Sequence, residues 1–199
     1  MHTYESKQQL ASKLAEVLAD LNIMSTVAHG FHWNVKGPDF SEYHAFFGAI
    51  YEDVDGSIDP TAENILKLGF DAPYLLQDFL SLTSVSVGRV RSSDPQTMLR
   101  QLAEINAQVT SCLYEAFNTA NECNAQGIAD FLAGRIDMHD KWQWQIAASL
   151  GVSVLDLFTQ AEAQIEQYAT DVPVAVEEEL IPVVEDYSEL PDFSADEDA

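Results

Sequence analysis

At 199 residues with 47% hydrophobic content the chain can bury one sizeable core, while its formal charge of −24 repels nucleic acid phosphates and anionic lipid unless a basic patch intervenes. No such patch is visible, no apolar run approaches the roughly 20 residues needed to span a bilayer, and the first ten residues lack the apolar segment of a secretory signal. The chain is therefore expected to be soluble and cytoplasmic, with DNA and membrane excluded as partners, and its two cysteines, Cys112 and Cys123, read as helix-packing residues rather than a disulfide framework or zinc knuckle.

Helical periodicity begins early. Leu10, Leu14, Val17, Leu18, Leu21, Met24 and Val27 predict a long first helix over 7–35, with His29, Phe31, His32 and Trp33 near its end and Gly37-Pro38 breaking it. Asp39 or Ser41 can cap a second helix over 41–68, which Gly69 stops. Its interior holds Gly48, Gly56 and Pro60. Proline alone costs about 3 kcal/mol in a helix, so either packing holds this one together or two shorter helices meet there. A kink at Pro60 would re-aim the neighbouring Asp59.

Pro73 and a short apolar run at 74–82 predict a short helix inside a long crossover. Asp94-Pro95, a cap followed by proline at the first helical position, starts a third long helix that reaches about Asn121 through Met98, Leu102, Ile105, Val109, Leu113 and Phe117. Gly127 marks the turn to a fourth, which runs through Ile128, Leu132, Ile136, Trp142 and Ile146 to Gly151. Ser153 can cap a shorter fifth helix ending near Tyr168. The last 29 residues then hold eleven carboxylates, no basic residue, and Pro173, Pro182 and Pro191, so a disordered acidic tail over 171–199 is expected to follow a helical domain over 1–170. Two long helices, a crossover carrying a short one, and two more long helices make an all-α four-helix bundle of up-down-down-up type.

Within this frame the stretch 32–63 carries the chemistry. His32 and His44 stand twelve residues apart, and Asp59 and Glu63 follow one helical turn apart, so that both carboxylates leave the same helix face and can close on one cation. Imidazole with carboxylate is a ligand set for iron, zinc or manganese. If 41–68 is one helix, however, His44 and Asp59 are separated by fifteen residues, roughly 22 Å along the axis at 1.5 Å per residue. One chain cannot bring them together. Either they serve two sites, or two copies of the helix run antiparallel about a twofold axis and His44 of one meets Asp59 of the other. No Glu-x-x-His motif occurs, which argues against a di-iron centre inside one subunit.

The residues His32-Trp33-Asn34-Val35-Lys36-Gly37, then His44, then Asp59 with Ala62-Glu63 and Gly69, closely resemble the ferroxidase pattern of the Dps family of mini-ferritins, and the similarity extends over about 10–150. The resemblance implies a ferritin-like fold and a dodecamer built from twofold dimers. It also implies ferroxidase activity: iron is oxidised by hydrogen peroxide or oxygen at inter-subunit sites and stored as ferric mineral in a hollow shell, as protection against oxidative stress. Carried over by position, it places His32 and His44 on one subunit and Asp59 and Glu63 on its partner, puts Trp33 beside the iron as a trap for oxidising radicals, and makes Asp130, with Glu122 as a substitute acid, a lining of the iron entry pore.

The chain departs from that pattern at three places. Gly48 stands where the family usually has an acid, four residues after the second histidine. Asn64 replaces a common arginine beside the unexpected Pro60, and the loop 124–127 lacks the usual extra acids. Elsewhere, His29 is read as an interior or partly exposed residue, His139 between Asp137 and Asp140 as part of a solvated face, and Trp142 and Trp144 as packing residues. The competing function is a shell or scaffold without strong catalysis that docks a basic partner through the alternating apolar and acidic residues of 174–193. Retention of all four ligands favours the enzyme, since carboxylates kept buried without a metal would be costly.

Overall fold

The computed structural model describes residues 3–86 and 92–157. Among these residues the helices α1 (Tyr4–Asn34), α2 (Phe40–Leu68), α3 (Leu76–Leu82), α4 (Pro95–Glu122) and α5 (Gln126–Leu150) follow one another. Their starts and stops follow local chemistry. The Thr3 hydroxyl accepts the Ser6 N–H at 3.2 Å to open α1, and the Asp94 carboxylate accepts the Thr97 N–H at 2.8 Å to open α4, directly ahead of Pro95. Gly69 and Gly151 close α2 and α5 with φ of 94° and 69°, a left-handed conformation that costs glycine no Cβ clash.

Two local expectations need correction. Asp39 occupies the position before α2 but adopts φ 59° and makes no side-chain capping bond. The turn between α4 and α5 is made by Asn124, at φ 53°, whereas Gly127 already lies inside α5. Of the two alternatives at Pro60, the structure has the first: α2 is one uninterrupted helix. The carbonyl on which that proline ring presses belongs to Gly56, and on either side of the ring Ser57 and Thr61 are buried with their hydroxyls bonded back to the carbonyls of Val54 and Ser57 at 2.6 and 2.7 Å. Packing outweighs propensity here.

The helix directions can be read from contacts at the bundle ends. Tyr4 meets Phe70 at one end of the α1/α2 pair and His32 meets His44 at the other, so these helices are antiparallel. The Lys36 N–H donates to the Ser93 carbonyl at one end of the α1/α4 pair, and Cys123 Sγ to the Ser6 carbonyl at the other, so these are antiparallel as well. Helices α2 and α4 therefore run in the same direction, and the crossover with α3 returns the chain along the bundle. Asp20, fully buried on α1, fixes that crossover by accepting the Thr83 hydroxyl, the Ser84 N–H and the Ser84 hydroxyl at 2.7, 2.8 and 2.7 Å.

The core runs the length of the bundle through Leu10, Leu14, Leu21, Met24, Phe47, Ile50, Leu102, Leu113, Leu132 and Ile146. Burial of each such side chain stabilises the fold by about 1.5–3 kcal/mol. Both cysteines are free and buried. Among the described residues no helix is long and apolar enough to cross a membrane. After Gly151, Ser153 accepts the Asp156 N–H at 3.0 Å and helix resumes at 154–157. The remainder of the expected fifth helix and the acidic segment 171–199 lie outside the described residues.

Candidate metal site

The sharp turn between α1 and α2 stacks the rings of His32 and His44 at 3.6 Å, with their planes 22° apart. Each ring also bonds to the other residue's backbone: His32 Nδ1 lies 2.7 Å from the His44 carbonyl, and His44 Nδ1 lies 2.7 Å from the His32 carbonyl. The His32 carbonyl is free to accept because the Lys36 N–H that would bond it within the helix goes to Ser93 instead. A carbonyl only accepts, so both Nδ1 atoms carry a proton, and in the neutral tautomer this selects each Nε2 presents a lone pair. That is how metal-ligating imidazoles are held by an outer partner. At this tilt the in-plane lone pairs do not meet at one point, so closing both on a single ion requires the rings to splay.

Gly48 has a structural reason to be glycine. A Cβ there would lie 3.2 Å from His32 Nδ1 and 3.4 Å from its Cε1, so the ring occupies space that any other residue would contest. The sequence reading overlooked Tyr51, seven residues beyond His44 and on the same face of α2. His29 stacks on Tyr51 at 4.0 Å, His32 meets it edge-on at 5.4 Å, and Trp33, 67% exposed, packs on His29 at 4.2 Å. His29 thus belongs to an aromatic cluster adjoining the histidine pair.

Asp59 and Glu63 lie one turn apart on the exposed side of α2. They are not buried in the single chain, so the desolvation argument for their retention does not apply to it. Because α2 is continuous, Asp59 remains about 22 Å and Glu63 about 28 Å along the axis from His44. Among the described residues no group of three or more histidine, cysteine or acidic side chains could hold a metal within one chain. The structure brings His32 and His44 together and leaves Asp59 and Glu63 apart from them. Glu122, the last residue of α4, and Asp130, early in α5, are both exposed beside the α4–α5 turn. Asn64 is buried and accepts from Lys67 Nζ at 3.4 Å.

His139 is the residue that the sequence misplaced most. It is 0% exposed at the centre of the bundle, not on a solvated face. Its Nδ1–H donates to Asn106 Oδ1 at 2.8 Å, and its Nε2 accepts from Arg135 Nη2 at 3.2 Å. Arg135 in turn holds Asp53 of α2 in a two-pronged ion pair of 3.2 and 2.9 Å, and Trp142 Nε1 donates to the same carboxylate at 2.8 Å. Burial, reinforced by the Arg135 charge, lowers the His139 pKa to about 3. Burial would raise that of Asp53, but the hydrogen bonds from Arg135 and Trp142 prevail and hold it below the usual range. Trp142 packs as expected, whereas Trp144 is 57% exposed.

The ferritin-like domain pattern matches residues 11–153. Among curated relatives, DNA protection during starvation protein 2 of Bacillus anthracis is 25% identical over 72% of this chain and 97% of its own length. Among solved structures, the Dps protein of Vibrio cholerae, described as a member of a broad superfamily of ferritin-like diiron-carboxylate proteins, is 26% identical with a TM-score of 0.71, covering 75% of this chain and 93% of that one. The Dps protein of Bacillus brevis is 27% identical with a TM-score of 0.70, over 75% and 99%. With a four-helix bundle carrying a crossover helix, a histidine pair at its α1–α2 end and matches that span the bundle, the chain belongs to the Dps family of the ferritin-like superfamily.

Proposed function

We propose that this protein oxidises ferrous iron and stores the ferric product inside a hollow shell of twelve copies, in the cytoplasm, with the oxidation site divided between two subunits across a twofold axis. The observation that carries the reading is the histidine pair held by its Nδ1 atoms with both Nε2 atoms left to ligate, while the carboxylates that would complete an iron site stand exposed about 22 Å (Asp59) and about 28 Å (Glu63) along the same helix. Antiparallel pairing of α2 with its copy closes that distance. His32 and His44 of one subunit then face Asp59 and Glu63 of its partner.

Iron is the substrate. Neutral imidazoles accept the ferrous ion, and carboxylates favour the ferric one as charge builds. Each ferrous ion loses one electron, and hydrogen peroxide takes up two electrons and two protons to leave water; oxygen is the alternative acceptor. Trp33, exposed beside the histidines, is placed to reduce stray one-electron oxidants. Asp130 and Glu122 supply exposed carboxylates where an entry pore would attract cations, and the eleven acids of 171–199 add to the negative charge of the chain as a whole. A charge of −24 gives DNA phosphates nothing to exchange for counterions, so DNA is not among the partners.

Gly48, in place of an acid, favours a second reading, a shell with weak catalysis that binds a basic partner through its tail. Ferrous oxidation measured on the parent and on a His44→Ala/Asp59→Ala variant separates the two. Fast oxidation lost in the variant is the expected result; equal rates in both would remove the site assignment.

A further inference from the structure

The centre of the bundle is where ferritin-like proteins commonly project carboxylates and histidines inward to hold metal. Here a guanidinium nitrogen of Arg135 lies between a partly buried carboxylate, Asp53 on α2, and a fully buried imidazole, His139 on α5. Arg135 Nη2 lies 2.9 Å from Asp53 Oδ2 and 3.2 Å from His139 Nε2, so it bonds the two atoms that would ligate a cation. Each prospective ligand also has an outer partner: Asn106 Oδ1 takes the His139 Nδ1–H and fixes the tautomer that leaves Nε2 free, and Trp142 Nε1 holds the Asp53 carboxylate. Asn106 is itself anchored, its amide donating to the His139 carbonyl at 3.0 Å and to Gln143 Oε1 at 2.7 Å. Arg135 is only 9% exposed, and its Nε has no partner, so the side chain is held by the two groups it separates rather than by a full set of acceptors.

We propose that Arg135 is a built-in cation occupying a latent metal site between Asp53 and His139, and that it keeps divalent metal out of the subunit interior. A fixed guanidinium and a divalent ion cannot share one carboxylate and one imidazole at these distances, because the two charges repel strongly in a buried setting. Arginine suits the task, since it stays protonated at any physiological pH whereas lysine can lose its charge on burial. The arrangement also accounts for the missing Glu-x-x-His motif: the bundle keeps the polar interior of a metal site and fills it with its own charge.

The inference does not rest on the interface site, and its test is run with that site removed. In the full-length His44→Ala/Asp59→Ala background, Arg135→Met frees Asp53 and His139 while retaining an apolar side chain of similar length. Co(II) is the probe, followed by its visible absorption and by equilibrium dialysis, with circular dichroism reporting the fold. The variant is expected to bind about one equivalent per chain at least about tenfold more tightly than the background, and to lose it when His139→Gln is added. If the unpaired Asp53 unfolds the variant, Co(II) should restore the helical signal, since metal binding then becomes folding energy. A variant that folds without taking up Co(II), one that Co(II) fails to rescue, or uptake that survives His139→Gln would each overturn the proposal.

Discussion

At Gly48 the loss of one methyl group shapes the candidate site. Its missing Cβ makes room for the His32 ring, and an alanine there would force that ring back by a few tenths of an ångström. Reactions that depend on placement lose rate quickly with displacement, so Gly48→Ala should slow ferrous oxidation about tenfold with the helical fold unchanged; an unaltered rate would show that the His32 position is not critical. The sequence marked position 48 as a departure from the family, but the reason lies in a ring reaching over from α1, which no spacing argument contains. His139 was misread for a related cause. Its neighbours Asp137 and Asp140 suggested a wet face, although the stripe Leu132, Ile136, His139, Gln143 and Ile146 was legible at helical spacing and all five are buried. Its lowered pKa has a measurable consequence. Between pH 6.5, the ordinary histidine value, and about 3, the unfolded chain binds a proton that the folded chain does not, so stability is fully present above that window and falls as the pH drops through it. The loss is on the order of 5 kcal/mol at 1.36 kcal/mol per unit. His139→Gln should flatten urea-unfolding stability across this window, and an unchanged slope would assign the acid sensitivity to other groups.

Among the elements, helix extents were largely readable because each long helix carries an apolar stripe and a local start or stop, as with the stops at Gly69 and Gly151 and the start at Asp94 before Pro95. What propensity could not decide was whether α2 survives Pro60 and Gly56. The answer depends on tertiary packing of Ser57, Thr61 and Ile65, all buried, against the rest of the bundle. The α4–α5 turn was assigned to Gly127 because glycine is the usual left-handed residue, but Asn124 takes that conformation instead, as asparagine can. The crossover was recognised only as a segment with a short helix, and its anchor, Asp20, was invisible in a sequence full of acids. Asp20→Ala would leave the Thr83 and Ser84 donors unpaired and release the segment that carries α3, costing about 2–4 kcal/mol of unfolding free energy in urea. A loss below about 0.5 kcal/mol, typical of an ordinary surface change, would mean that α3 packing alone holds the crossover.

For the whole molecule, the bundle and its family were accessible from the chain because helical periodicity and the residues around His32, His44, Asp59 and Glu63 are local features. The proposed site would be divided between two copies, so a single chain presents only half of it. The continuous α2 is what makes this a physical claim, since a rigid helix holds the histidines and the carboxylates apart within each chain. The direct test uses two defective chains. A His32→Ala/His44→Ala chain retains its carboxylates and an Asp59→Ala/Glu63→Ala chain retains its histidines, so each assembled alone should fail to oxidise ferrous iron rapidly. When they are co-assembled at equal ratio, half of randomly paired dimers are mixed, and each mixed dimer has one site with all four ligands and one with none. The expected result is recovery of roughly a quarter of the parent's fast oxidation. No recovery, with mixed dimers verified by mass spectrometry, would contradict a site shared between subunits.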